Sequence, residues 1–222
     1  MTIPARQVLS GVWRGKSLTR SSLNARLAQE PALNGLTVDL GGGGKPSYLS
    51  ILKINGSFVN IDRIKEANPT IVGNIEQTFP IASASVDNAL LFNTLEHVYS
   101  HQHVISEMHR ILKPGGRGII FVPFLFPIHT HETEQFLVDD YFRYSESSLR
   151  RIFETAGFSN IEIEPVGGAF SVIAEYLSFI LPISVFKITI SSLALLLQKA
   201  ERFRPLMGAR KFPLAYFVVA SA

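Results

Sequence analysis

Short apolar runs alternate with segments of helical period along this chain, the pattern of an α/β domain. "LTVDL" (36–40) reads as a short buried strand, and the glycines behind it lead into a helix-length segment reaching about Lys53. "SFVNID" (57–62) reads as a second strand ending in an acid, "TIVGN" (70–74) as a third and "VDNALLFN" (86–93) as a fourth. Leu95, Val98, Val104, Ile105, Met108, Ile111 and Leu112 then fall largely on one helical face. "LKPGG" supplies the stop for that helix, with a lysine in the last turn, a proline and two glycines. "GIIFVP" (118–123) is a fifth strand that Pro123 ends. Ser145 caps a helix carrying Leu149, Ile152, Phe153 and Ala156, with Gly157 as its stop. "NIEIEP" alternates as a strand with one wet face does, and "LAYFVVA" (214–220) is strongly β in character.

This order predicts an α/β fold: a doubly wound, mostly parallel, seven-stranded Rossmann-like sheet whose last strand is antiparallel. A helical insertion precedes that strand. The expected organisation is a single domain over 1–222, in four parts. They are a basic helical segment (1–34), the core (35–167), the apolar insertion (168–212) and the final strand (213–222).

Within the insertion, residues 176–197 read "YLSFILPISVFKITISSLALLL", with one charge in twenty-two positions. That is long enough to span a bilayer, but the final strand must return to the sheet on the same side. Pro182 and Lys187 also interrupt the run. A helix lying on a sheet needs only one apolar stripe, so the surplus face is expected to meet substrate as a lid, a second subunit or a membrane surface. Lys199, Arg202, Arg204, Arg210 and Lys211 follow it and would suit anionic headgroups.

Composition narrows the function classes. Cysteine is absent, which removes disulfides and thiolate metal sites and fits a reducing compartment. The first residues contain no apolar core of signal-peptide length, so the expected location is cytoplasmic, with membrane association through the insertion. A net charge of +3 gives no case for nucleic acid, although basic residues gather near both ends.

The stretch "VDLGGGGKPSY" carries the chemistry of the first half. A phosphate-binding P-loop needs a glycine where Asp39 stands and a Ser or Thr where Pro46 stands, so that motif fails. The dinucleotide fingerprint fails as well, because its third glycine falls on Pro46 or Ser47. What remains is Asp-x-Gly-x-Gly, read as Asp39, Gly41 and Gly43, with Asp62 ending the next strand. Either the glycines form a tight loop and nothing more, or they let the backbone pass close beneath a ligand. In the second case Asp62 can accept hydrogen bonds from both hydroxyls of a ribose. Asp39 would repel a pyrophosphate and suit a ligand carrying positive charge.

Taken together, "VDLGGGGKPSY", "VNIDR", "GNIEQTFPIASASVDNALLFNTLEHV", "EMHRILKPGGRGIIFVP" and "DDYFRYSESSLRRIFETAGF" resemble a class I S-adenosylmethionine-dependent methyltransferase of the type 11-like group. The resemblance covers roughly 35–166, in order, and the terminal "YFVVA" fits the family's last strand. It implies S-adenosyl-L-methionine as cofactor, with Asp39, Gly41 and Gly43 lining its methionine side and Asp62 on the ribose. It also implies Asn74 and Ile75 beside adenine, where the family often has an acid and a small or apolar residue. Phe92 and Asn93 would lie near the methionine end.

An oxygen acceptor needs a base, and histidine suits that near neutral pH. His129 and His131 follow the fifth strand, where substrate-facing loops of a doubly wound sheet emerge, and are the candidate catalytic bases. His97 belongs to the family signature and has an architectural or cofactor-side role, while His101, His103 and His109 read as surface positions. Asp140 and Arg143, in "DDYFRY", clamp the loop or touch substrate. "HTHETE" brings two histidines and carboxylates together, but no distant third ligand is evident in the sequence, so no metal is expected.

The expected function is methylation, at oxygen, of a small-molecule, glycan or lipid-linked acceptor. The expected contacts are a membrane surface or a second copy through 176–204, and no nucleic acid. Two other classes share some of these features: a methyltransferase-like binding module without turnover, and a nicotinamide-dependent oxidoreductase.

Overall fold

The computed structural model describes residues 4–132, 137–181, 184–200 and 208–222. By internal packing the chain forms two compact units. The larger comprises Pro31–Val122, Ile128–Glu164 and Phe217–Ala222, and the smaller Met1–Glu30, Pro123–Pro127 and Pro165–Tyr216.

The larger unit is built on a seven-stranded sheet: β1 (Thr37–Leu40), β2 (Phe58–Asp62), β3 (Ile71–Val72), β4 (Val86–Phe92), β5 (Leu112–Pro123), β6 (Ser159–Val166) and β7 (Ala215–Ser221). Across the sheet they run β6-β7-β5-β4-β1-β2-β3. β1 pairs in parallel with both β2 and β4, β2 with β3, and β4 with β5. β7 runs the other way. The Gly115 N–H donates to Ala222 O and the Phe124 N–H to Leu214 O, so one strand ascends as the other descends. All seven strands expected from the sequence are present.

Every residue of β1 is buried, as are Asn88 to Phe92 of β4 and Ile119 to Val122 of β5. Strands covered on both faces read as continuous apolar runs, which is why these three were the easiest to find. The chain winds outward from β1 to β3, then returns to β4 on the other side of β1. That reversal puts a crevice beyond the carboxyl ends of β1 and β4.

Helices α3 (His101–Ile111) and α4 (Glu146–Thr155) pack on the core sheet's flank against one another. α3 buries Val104, Ile105, Met108 and Ile111; Leu95 and Val98, expected on the same helix, precede it in a separate one-turn helix and a connector. α4 begins where expected: the Ser145 hydroxyl accepts from the Ser148 N–H, and Leu149, Ile152 and Phe153 face inward.

The expected helix between the glycines and Lys53 does not form beyond one 3₁₀ turn, Ser47–Ser50. Pro46 opens that turn, Tyr48 is tied down by its side chain, and Ile54–Asn55 is taken up by a short parallel pairing with Leu33–Asn34. Too little chain is left for a longer helix.

The smaller unit contains α1 (Ala5–Trp13), α2 (Leu18–Leu27), α5 (Ala169–Ile180) and α6 (Ser184–Ala200). α5 packs on α6 and on α2, and α1 packs on α2 and α6. Val8, Val12, Leu18, Ala25, Ala174, Ala194 and Leu214 form its core. Buried Glu175 of α5 accepts from the Leu18 N–H at 2.9 Å and the Thr19 N–H at 3.4 Å, backbone donors that the first turn of α2 leaves without helical partners, and from the Thr19 hydroxyl at 3.0 Å. Among the described residues the apolar insertion forms the helix pair α5 and α6. No helix among the described residues is long and apolar enough to cross a membrane.

Candidate active site

The loop after β1 is held from below by its own acid. Asp39 is fully buried, and its Oδ2 accepts from the Tyr48 hydroxyl at 2.5 Å. The Tyr48 ring meets Phe92, at the end of β4, edge-on at 5.0 Å. Asp39, Tyr48 and Phe92 therefore form one packed group at the carboxyl ends of β1 and β4.

Gly41 and Gly43 both adopt positive φ, +81° and +67°, where a side chain would be strained. A Cβ on Gly41 would also stand 2.5 Å from Thr94 Cγ2, so this turn lies against the chain leaving β4. The Gly43 N–H donates to Asp62 Oδ2 at 2.9 Å, and the Ile64 N–H donates to Oδ1 at 2.8 Å. Each carboxylate oxygen accepts more than one hydrogen bond, so Asp62 keeps capacity for ribose hydroxyls after anchoring the loop.

Asn74 is exposed and its Oδ1 accepts from the Glu76 N–H at 3.0 Å, closing a local turn. The side-chain carbonyl assigned to adenine is thus already half used, and Ile75 beside it is buried. Asn93 has a positive φ of 50° and its N–H donates to Phe121 O. Its Oδ1 is buried with no hydrogen-bond partner. A buried acceptor of that kind at a strand end fits a ligand that brings a donor, as the ammonium of S-adenosylmethionine would.

Beyond Thr94 lies a second constellation. Glu96 has a fully buried side chain, and both His97 Nε2 and His129 Nε2 stand 3.8 Å from its Oε1. The two imidazoles meet edge to face, with ring centroids 4.9 Å apart. His97 Nδ1 lies 2.7 Å from the Asp139 carbonyl oxygen, which can only accept, so that nitrogen carries the proton. His129 Nδ1 lies 3.2 Å from Asp140 Oδ2, and the same oxygen receives the His129 N–H at 3.0 Å.

Asp140 is clamped in turn by Arg143, through paired contacts from both terminal guanidinium nitrogens. Burial pushes the Asp140 carboxyl up, but the Arg143 bond, the His129 N–H and the nearby positive charge outweigh it and hold it below the usual aspartate value. The Tyr144 hydroxyl donates to Leu95 O at 3.1 Å; burial, and then the negative charge of Glu96, raise its pKa.

Of the two bases expected from the sequence, His129 sits in this cluster. His131 begins a two-residue strand, His131–Glu132, paired with Leu137–Val138, and its side chain lies outside the described residues. Asp140 and Arg143 form the loop clamp. His103 is exposed as expected, whereas His101 packs on Phe142 and Tyr144 and His109 on Phe158, so neither is a plain surface residue. Sequence reasoning missed Glu96 as a buried acid and His97 as the neighbour of His129. The signal was present in "LEHV", where a charged pair follows directly on a buried strand.

A family model described as a methyltransferase domain matches residues 38–120, which include all of β1 but Thr37, the glycine loop, Asp62 and the Glu96-His97 pair. Over that stretch the chain is similar to a methyltransferase domain. It is 30% identical over 109 residues to a protein of Mycolicibacterium smegmatis named as a probable S-adenosylmethionine-dependent methyltransferase, covering 44% of this chain and 37% of that one. It is 24% identical over 155 residues to the Francisella tularensis ubiquinone/menaquinone biosynthesis C-methyltransferase UbiE, covering 56% of this chain and 62% of the relative. The chain therefore spans between about a third and three fifths of the length of these relatives. Its fold is shared with a methyltransferase from Archaeoglobus fulgidus, at a TM-score of 0.55 and 17% identity, over 97% of this chain and 98% of the other. It is shared also with the Haemonchus contortus phosphoethanolamine N-methyltransferase 2 solved with S-adenosyl-L-methionine, at a TM-score of 0.55 and 14% identity, over 90% and 52%.

Proposed function

We propose that this chain methylates a hydroxyl oxygen of a small-molecule, glycan or lipid-linked acceptor. Bound S-adenosylmethionine would supply an electrophilic methyl group on a sulfonium. Asp39, Gly41 and Gly43 would border its methionine portion, with Phe92 and Asn93 beyond them. Asp62 would hold the ribose hydroxyls, and Asn74 and Ile75 would flank the adenine.

One observation carries the oxygen reading: His129 is oriented by Asp140 through Nδ1, which turns Nε2 toward the Glu96 end of the cluster. An imidazole held by a carboxylate in this way is built to take up a proton, and a hydroxyl must lose one where a sulfonium-activated methyl is captured. Orientation of the acceptor supplies much of the rest of the barrier lowering.

The helical unit supports an amphipathic acceptor and contact with a membrane surface. Ile173, Tyr176, Phe179, Ile180 and Val185 are all exposed on α5 and α6, Val185 by 73%. Arg210 and Lys211 are exposed as well, with charge of the sign that anionic headgroups attract. Lys199, Arg202 and Arg204, which complete the basic set expected from the sequence, lie outside the described side chains.

The test is to incubate the chain with methyl-labelled S-adenosylmethionine and fractions of cell extract, then locate the methyl in any product. A methyl ether or ester is the expected product. A methyl on carbon, as the name of the Francisella relative describes for that protein, would overturn the oxygen assignment. Tight S-adenosylhomocysteine binding with no transfer to any fraction would instead favour a binding module.

A further inference from the structure

We propose that Glu96, His97 and His129 form a binding site for one divalent first-row transition ion. The ligand atoms would be Glu96 Oε1, His97 Nε2 and His129 Nε2, which all lie within 4.8 Å of one another. Only His129 of the three comes from the "HTHETE" loop; Glu96 and His97 both come from the one-turn helix Leu95–His97 that follows β4.

The geometry is that of a site about to close. Each imidazole nitrogen is 3.8 Å from the carboxylate oxygen, too far for a hydrogen bond. Tetrahedral zinc, with bonds of about 2.0–2.2 Å, brings its ligand atoms to about 3.3 Å of each other, so each carboxylate–imidazole pair must close by about half an ångström and the two imidazole nitrogens, within 4.8 Å of one another, by up to about 1.5 Å. Small rotations of the two rings would provide it.

The groups behind the ligands fix which atom faces the gap. His97 must donate Nδ1–H to the Asp139 carbonyl, which leaves the Nε2 lone pair on the Glu96 side. His129 has Nδ1 against Asp140, itself clamped by Arg143, with the same result. A ligating histidine whose other nitrogen donates to a carboxylate or backbone carbonyl is the usual support of a protein metal centre. Two imidazoles select first-row transition ions over magnesium and calcium, which prefer oxygen ligands throughout. Three protein ligands leave one tetrahedral position open, as in catalytic rather than structural sites.

The open position would take the acceptor oxygen. This part rests on the oxygen-acceptor reading above; the ion site itself does not. A hydroxyl bound there loses its proton more readily; His129 acts as the base in the metal-free chain and as a ligand in the metal-loaded one, where a hydroxyl bound to the ion loses its proton to solvent. Thr94, two residues before Glu96, lies against the Gly41 turn.

The full chain should be stripped with chelator, dialysed and titrated with Co²⁺, following visible ligand-field absorption, and then challenged with Zn²⁺. The expected result is one Co²⁺ per chain with tetrahedral-type absorption, displaced by Zn²⁺. His97→Ala and His129→Ala should abolish the absorption, and Asp140→Asn should weaken the affinity by about 10–100-fold, the usual effect of losing a supporting partner. Unchanged S-adenosylhomocysteine affinity in each variant checks that the fold survives and keeps the cofactor reading separate. His103→Ala, on the exposed face of α3, should bind Co²⁺ as the unaltered chain does. Absence of specific absorption in the unaltered chain, or its retention in His97→Ala and His129→Ala, would overturn the proposal.

Discussion

The Gly43 backbone N–H donates to Asp62 Oδ2 at 2.9 Å, joining the turn after β1 to the acid that ends β2. A single carboxylate thus sets the shape of the glycine loop and presents its remaining lone pairs to whatever the loop encloses. Asp62→Ala should weaken S-adenosylhomocysteine binding by about 1.5–3 kcal/mol, the range for hydrogen bonds to a charged group. Calorimetric titration reads this directly. Unaltered affinity in a folded variant would remove Asp62 from the ribose.

Tyr48→Phe deletes the hydroxyl that bonds Asp39 and keeps the ring on Phe92. Taking one partner from a buried carboxylate is expected to cost about 1–3 kcal/mol of stability. Urea unfolding should show a lower midpoint with an unchanged slope. No change in midpoint would mean that the Tyr48 bond is not part of what holds the loop.

Glu107 on α3 accepts from the Phe79 N–H at 2.8 Å and from Arg110 through Nε and Nη2. The Arg110 bond, working against burial and helped by Phe79, lowers its pKa from the ordinary value of 4.5. A lowered folded-state value means that the stabilisation is fully present above the unfolded-state pKa and is lost as pH falls through the folded one. Glu107→Gln should therefore cost about 1.5–3 kcal/mol at neutral pH, with the difference from the unaltered chain shrinking below about pH 4.5. A difference constant from pH 7 to pH 3 would contradict this.

How much of this was legible in the residues follows from what is local. β1, β4 and β5 were found because strands buried on both faces leave unbroken apolar runs, and α4 because Ser145 and the Leu149-Ile152-Phe153 spacing are both local signals. The segment after the glycines misled, since its apolar residues have helical spacing while the Tyr48 hydroxyl fixes it to Asp39, a bond that only the folded strands create. The Glu96-His97 pair left a local trace in "LEHV", but its meeting with His129 did not, for a similar reason. The pair and His129 leave the ends of different strands, and their meeting depends on the order of strands in the sheet.

The exposed apolar side chains of α5 and α6 should carry the chain to anionic membranes. Flotation with anionic and neutral vesicles at low and high salt should show binding to the anionic ones that weakens with salt, each basic residue near the surface contributing about 1 kcal/mol. Val185→Glu and Ile180→Glu, at positions exposed by 73% and 69%, should reduce it. A chain that ignores both vesicle types and scatters light as a dimer would assign this face to a second copy instead.

The central claim is that the Asp39–Gly43 loop and Asp62 hold the amino-acid and ribose portions of S-adenosylmethionine, which S-adenosylhomocysteine shares. Isothermal titration of the full chain with S-adenosylhomocysteine, alongside a nicotinamide dinucleotide, tests it most directly. Saturable one-site binding of S-adenosylhomocysteine, weakened in Asp62→Ala, with no nicotinamide binding, is the expected result. Nicotinamide binding without S-adenosylhomocysteine binding would contradict it.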